Sequence, residues 1–152
     1  MKARPATDDD RDAVLRMLAD LAADRPAPWF VGTPEQQLDL HDHAIALEAD
    51  DLGVAGCALL QTTPVGVGWV RGVWVRRQHR RRGGARLLMA AAEDWLRAAG
   101  CHRAKVTVLH GNAAARALYE SLGYHYAGEA AEGGADHLQR PLGNPDSGVD
   151  KS

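Results

Sequence analysis

Aromatic side chains and cysteines are scarce in this chain. Of its 152 residues 5% are aromatic, with a single phenylalanine, and the cysteines number two, Cys57 and Cys101. Two thiols without metal-ligand spacing make neither a zinc site nor a disulfide framework, so a reducing cytoplasm is the expected compartment and no metal is expected. No apolar run is long enough to span a bilayer. Met1 leads straight into charged residues without a secretory leader, so no membrane partner is expected. An excess of one charge is also missing. The formal net charge is -2, which argues against a protein whose main business is nonspecific nucleic-acid binding. No Gly-Lys-Ser/Thr sequence follows the glycines and no dinucleotide fingerprint is present, which disfavours a kinase or nucleotide hydrolase. Internal repeats and low-complexity segments are absent.

What the chain does have is a concentration of positive charge between Arg76 and Arg86. The β-branched run Val73-Trp74-Val75 empties into Arg76-Arg77-Gln78-His79-Arg80-Arg81-Arg82-Gly83-Gly84, and Ala85-Arg86-Leu87-Leu88 opens an amphipathic helix. Such a turn leaves backbone N–H groups free at a helix N-terminus, where they hold an anion. The arginines add forked donors suited to phosphate oxygens. A phosphate-bearing ligand follows as the first expectation.

The rest of the chain reads as one domain over residues 1–142, with a Gly-, Pro- and Ser-containing tail over 143–152 expected to be disordered. A short strand over Met1–Ala6 precedes a helix from about residue 8 to 23, capped by Thr7 and burying Val14, Met17, Leu18 and Leu21. Thr33-Pro34-Glu35-Gln36 reads as a capping box that starts a second, short helix. His43–Ala49, Gly53–Thr62 and Val67–Val75 read as consecutive antiparallel strands, and Gly72 inside the third suggests a bulge. A helix from about Ala85 to Ala99 should bury Leu88, Ala91, Ala92 and Trp95, with Gly100 as its αL cap. A strand over His102–Leu109, a helix capped by Asn112 and closed by Gly123, and strands over Tyr124–Gly128 and Asp136–Leu142 complete the pattern. The class is α+β, with a central mixed, mostly antiparallel sheet of six or seven strands and about four helices. Val67–Leu109 should form a right-handed parallel crossover.

Two segments now resemble the GNAT superfamily of N-acetyltransferases. Arg80-Arg81-Arg82-Gly83-Gly84-Ala85 is similar to that family's acyl-CoA signature, in which Gln or Arg is followed three residues on by Gly and five on by Gly or Ala. His110-Gly111-Asn112 through Ala117-Leu118-Tyr119-Glu120-Ser121-Leu122-Gly123-Tyr124 is similar to its Asn, Ala, Leu-Tyr, Leu-Gly-aromatic pattern. The two stand in the family's order, separated by one helix and one strand. The resemblance covers roughly residues 2 to 142.

The resemblance implies acetyl-CoA as co-substrate. Its pyrophosphate would lie over the turn formed by Arg80, Arg81, Arg82, Gly83, Gly84, Ala85 and Arg86, where larger side chains at Gly83 and Ala85 would block the oxygens. Its pantetheine arm would enter a splay beside the strand ending at Val75, bonding to backbone near Val73, Trp74 and Val75. Asn112 would touch the coenzyme arm, a role compatible with capping a helix. Tyr119 would protonate the departing thiolate. An alkyl ammonium has a pKa near ~10, so a base is needed. The strand into the turn offers neither carboxylate nor histidine, which leaves Glu48, His41, His43, His110 or a water chain. Some of Trp29, Phe30, Trp69, Trp74 and Tyr126 could wall an acceptor pocket, with Glu48 as a further substrate residue, and the acidic Asp24, Glu35, Asp39 and Asp42 could attract a cationic amine. The resemblance thus implies direct attack by a small-molecule or peptide amine, with a homodimer through the sheet's last strands as a further expectation. A binding module of the same fold, holding acyl-CoA without efficient turnover, stays open as the alternative.

Overall fold

The computed structural model describes residues 1–24, 32–49 and 53–143. Seven strands form one sheet in the order β1-β2-β3-β4-β5-β7-β6. They are β1 (Lys2–Pro5), β2 (His43–Ala49), β3 (Gly53–Thr62), β4 (Val67–Val75), β5 (Arg103–Leu109), β6 (His125–Glu129) and β7 (Ala135–Pro141). Among the described residues four α-helices accompany them: α1 (Arg11–Asp24), α2 (Pro34–Leu40), α3 (Gly84–Ala98) and α4 (Ala113–Ser121). The chain divides into two compact units, residues 1–61 with 72–92 and residues 62–71 with 93–152, so that β4 and α3 each run through both.

In the first unit α1 presents Val14, Met17, Leu18 and Leu21 to Cys57 and Leu59 of β3, with Leu38, Ala44, Val54 and Trp74 packed around them. The apolar spacing of α1 therefore does what its periodicity requires. The helix begins later than expected, because Asp8–Asp10 forms a 3₁₀ turn first. Asp10 explains this start. Its Oδ2 accepts from the Thr7 backbone N–H at 2.7 Å and from Arg4 Nη1 at 2.7 Å. The second start is as expected, with Gln36 N donating to Thr33 Oγ1 at 3.1 Å and Thr33 N to Gln36 Oε1 at 2.8 Å. Gly72 interrupts β4 with φ +61, a conformation that L side chains rarely adopt.

In the second unit β4 pairs parallel with β5 while β5 pairs antiparallel with β7, and β7 with β6. The parallel β4-α3-β5 crossover is thus present. Alternation along β5 buries Ala104, Val106 and Val108 and turns Lys105 and Thr107 to the other face. Gly68 is held close to Leu96, whose methyl groups a Cβ there would strike.

One expected face turns out differently. Along α3 the buried residues are Gly84, Leu88, Met89, Ala92, Glu93 and Leu96, while Ala91 and Trp95 are only partly covered. The apolar stripe is rotated by one residue because Glu93 enters the interior, where it finds partners. In α4 the buried residue is Tyr119; Leu118 is partly buried and Ala117 exposed. The helix caps at Gly100 and Gly123 have φ +92 and +94, as the αL reading requires. The expected turn at Asp50-Asp51 and the tail beyond Gly143 lie outside the described residues.

Candidate functional site

The arginine turn belongs to the first unit. After Val75 the chain makes a 3₁₀ turn over Arg77–His79, with His79 N donating to Arg76 O at 2.8 Å. Arg80 is then extended, Arg81 takes φ +65 and Gly83 φ +80, and α3 begins at Gly84. Arg81 is the one non-glycine residue with positive φ among the described residues. That conformation costs a non-glycine residue about 1 kcal/mol or more.

Arg80 is partly committed within the protein. Its Nε donates to Val75 O at 2.8 Å, and its guanidinium stacks over the Trp74 ring, 4.6 Å from the centroid. Arg80 therefore braces the loop against the end of β4, with Trp74 as its platform. Arg81, Arg82 and Arg86 are exposed, as is Gly83. Within α3 the first described helical bond of this turn is Leu87 N to Gly83 O, at 3.1 Å. The amides of Gly84 and Ala85 precede it and have no carbonyl one turn back to bond. The space above Gly83 is open, with nothing within 4 Å of where a Cβ would lie. At Gly84, by contrast, a Cβ would lie 2.6 Å from Leu47 Cδ2. One glycine leaves room for a ligand and gives the bend; the other lets the helix start close to β2.

His79 is 4% exposed and its Nδ1 is shielded without a hydrogen-bond partner among the described residues. Beside the turn, Asp20, Ala23 and Asp24 of α1 face Trp74, Arg76, Arg77 and Gln78 across a cleft of about 380 Å³. Carboxylates and guanidiniums line opposite sides, so the cleft carries no net sign that selects one charge.

The second unit carries the other motif. Asn112 caps α4, its side chain accepting from Ala115 N at 3.2 Å. Tyr119, 8% exposed, lies with its ring 5.8 Å from that of Tyr124 and tilted by 59°. Tyr124 in turn donates to Glu93 Oε2 at 2.6 Å, and Arg140 Nη1 donates to Glu93 Oε1 at 3.0 Å. Burial, followed by the Glu93 charge, pushes the Tyr124 phenol far above its usual range, so it stays protonated. This buried trio fixes the ring against which Tyr119 packs.

On the open face of the same unit Trp69, Lys105, Thr107 and His137 come together. The Trp69 and His137 rings meet edge to face with centroids 5.1 Å apart, and His137 Nδ1 lies 3.0 Å from Thr107 Oγ1. Arg71 and Lys105 flank the Trp69 ring at 4.8 and 5.5 Å from its centroid. Sequence reading missed both His137 and Glu93. The short alternation of Asp136–Leu142 placed a strand, but only the Thr107↔His137 register puts the imidazole beside Trp69.

The expected base candidates are engaged elsewhere. Glu48 accepts from Arg4 Nε at 2.6 Å, and the same arginine grips Asp10, so Glu48 braces β1 and β2 to the start of α1. His41 Nδ1 lies 2.6 Å from Gln37 O, at the end of α2. His43 is half-buried, and burial lowers its pKa. His110 Nε2 sits 2.9 Å from Asp136 Oδ1, whose other oxygen accepts from Arg116 at 2.7 Å. Trp29 and Phe30 lie outside the described residues. No metal-holding group of His, Cys, Asp and Glu occurs, and no helix is long and apolar enough to cross a membrane, among the described residues.

Comparison with known proteins agrees with this reading of the elements. No curated protein matches the sequence. The chain is similar in structure to the ribosomal-protein-alanine N-acetyltransferase of Brucella melitensis, with a TM-score of 0.79 and 24% identity over 93% of this chain and 100% of that one. It is similar to yncA of Salmonella typhimurium, solved with its cofactor acetyl-CoA, with a TM-score of 0.79 and 19% identity over 99% and 98%. A GCN5-related N-acetyltransferase of Kribbella flavida aligns with a TM-score of 0.76 and 24% identity over 93% and 97%. The model of the acetyltransferase (GNAT) family matches residues 14–124, which include the arginine turn, Asn112 and Tyr119. The chain belongs to the GNAT family of acetyltransferases.

Proposed function

We propose that this acyltransferase moves the acetyl group of acetyl-CoA to a primary amine by direct attack in a ternary complex, working as one domain over residues 1–142. The observation that carries the reading is the conformation of the 80–84 turn. Positive φ at Arg81 and Gly83, open space over Gly83 and two helix-first-turn amides make a cradle for a diphosphate. Arg81, Arg82 and Arg86 supply the countercharge, and Arg80 holds the loop in shape. Val73, Trp74 and Val75 offer backbone groups to the pantetheine arm, and Asn112 a contact from the start of α4.

Tyr119 is the acid in this proposal. It stands in the Leu-Tyr position of the second motif, and its ring packs 5.8 Å from Tyr124, which Glu93 holds in place; a phenol there can give a proton to the departing thiolate. A covalent acyl-cysteine is disfavoured by chemistry. Cys57 is fully buried and its thiol is pushed up to about 12 by burial, and Cys101 is buried as well. Two buried free thiols also suit a reducing compartment such as the cytoplasm.

The acceptor is a primary amine on a small molecule or a peptide. The similar Brucella protein is named for the alanine of a ribosomal protein, which makes a free peptide N-terminus the first acceptor to try. The test is steady-state CoA release from acetyl-CoA with a panel of amines, for the parent and Tyr119→Phe. The expected result is turnover by the parent and a kcat lower by about 10²-fold in the variant, with KM for acetyl-CoA little changed. Equal rates at every pH would remove Tyr119 from the mechanism. Binding of acetyl-CoA with no turnover for any amine would favour a non-catalytic acyl-CoA sensor instead.

A further inference from the structure

The proposed reaction needs a group to take the acceptor's proton; of those expected, Glu48 accepts from Arg4, and His41 and His110 each have one ring nitrogen in a hydrogen bond. The second unit offers another. β4 pairs with β5 from Val67↔Arg103 to Trp69↔Lys105, whereas β5 stays paired with β7 through Leu109↔Ala135. Among the described pairings the two parallel strands therefore part after Trp69 and Lys105. Two residues further along β5, on the face that Lys105 shares, stands Thr107, and directly across from it in β7 stands His137.

We infer that His137 is the general base that deprotonates the acceptor amine, with Thr107 setting its tautomer and Trp69 walling the space beside it. This inference rests on the acetyl-transfer reading above. In the tautomer where His137 Nδ1–H donates to Thr107 Oγ1, Nε2 keeps its lone pair for the substrate. Beyond Lys105 the described pairings leave this side of β5 without a partner from β4, so its backbone is the place proposed for the thioester, and the Trp69 edge packs on the imidazole at 5.1 Å.

The charges facing His137 suit a base that must be neutral. Lys105 from β5 and Arg71 from β4 disfavour its protonation, while Glu132 from the β6–β7 connection and Asp136 from β7 favour it. Asp136 is already shared by Arg116 and His110. Burial and the two cations hold the His137 imidazole below the usual histidine range. The same cations disfavour an ammonium brought beside Trp69, so acceptor and base are driven in the same direction. Nε2 takes one proton from the ammonium and passes it to solvent. The freed nitrogen pair attacks the thioester carbon, the carbon–sulfur bond breaks with its electrons going to sulfur, and Tyr119 protonates that sulfur. The second nitrogen proton returns to the Tyr119 oxygen through water, so the net products are amide, CoA thiol and one released proton.

The test is the pH dependence of kcat/KM for the parent, His137→Gln and His137→Asn. The probe is an alanine-N-terminal peptide, or whichever amine of the panel the parent turns over fastest. Acetyl-CoA binding by calorimetry checks that each variant keeps its site. The expected result is a deficit at neutral pH, about 10-fold for the peptide and up to about 100-fold for an alkyl amine, that closes to a few-fold once pH passes the acceptor's own pKa, ~8 for a peptide N-terminus and ~10 for an alkyl amine. A deficit that is the same at all pH values, or an unchanged profile in either variant that binds acetyl-CoA, overturns the inference and leaves the acetyl-transfer reading standing. A parent that releases no CoA with any amine refutes that reading first, and this assignment with it.

Discussion

Gly84 opens α3 so close to Leu47 that a Cβ on it would lie 2.6 Å from the leucine Cδ2 and 3.6 Å from Val75 Cγ2. The helix whose first turn is proposed to face the diphosphate is thus set against β2 by the absence of one side chain. Gly84→Val should cost about 1–3 kcal/mol, because the added methyls must displace Leu47 or move the helix start. Combining it with Leu47→Ala should cost less than the sum of the two single changes. Urea unfolding of the three variants measures this, and strict additivity would contradict the contact.

Glu93 is 6% exposed, and its carboxylate receives Tyr124 Oη and Arg140 Nη1 at 2.6 and 3.0 Å. Removing it strands a buried phenol and a half-buried guanidinium. Glu93→Ala should lose about 3 kcal/mol, and Glu93→Gln clearly less, since an amide oxygen can still accept. Losses below about 0.5 kcal/mol in both variants would show that the trio holds nothing in place.

Asp10 gives the fold an acid-sensitive corner. The Arg4 hydrogen bonds, against the opposing effect of burial and helped by the Thr7 backbone N–H, hold its carboxyl down to about 2. A folded-state pKa below the unfolded value means that this contribution is complete above roughly pH 4 and is lost as pH falls toward 2. Asp10→Asn should therefore lower the thermal midpoint at neutral pH and bring parent and variant closer together in acid. Melting curves between pH 2 and pH 7 test it. A gap between the two that widens in acid would contradict the sign.

Much of the fold was legible because its signals are local. Thr33 and Gln36 formed the capping box they spelled, and the β2, β3 and β4 boundaries fell where turn residues separated alternating runs. The family was legible because its motifs are contiguous, at Arg80–Ala85 and Asn112–Tyr119, both within the span of the family model. Sequence reading failed where meaning lies in long-range register. Glu93 reads as an ordinary helix-surface acid until Tyr124 and Arg140, 31 and 47 residues away, are brought to it. His137 gains its surroundings only through its pairing with Thr107 and its contact with Trp69, neither of which is written near it in the chain. Glu48 misled for the same reason, since its partner Arg4 is 44 residues distant.

The account stands or falls on the amides and arginines of residues 80–86 gripping a pyrophosphate. Isothermal titration with acetyl-CoA, comparing the parent with Gly83→Glu, addresses it directly. Gly83 is exposed with open space above it, so the variant should stay folded at a cost of about 1–2 kcal/mol for its φ of +80. Its carboxylate would occupy and repel the place of the phosphates. The prediction is saturable, one-to-one heat for the parent and none for Gly83→Glu. Undiminished affinity in the variant, or no heat with the parent, would contradict it.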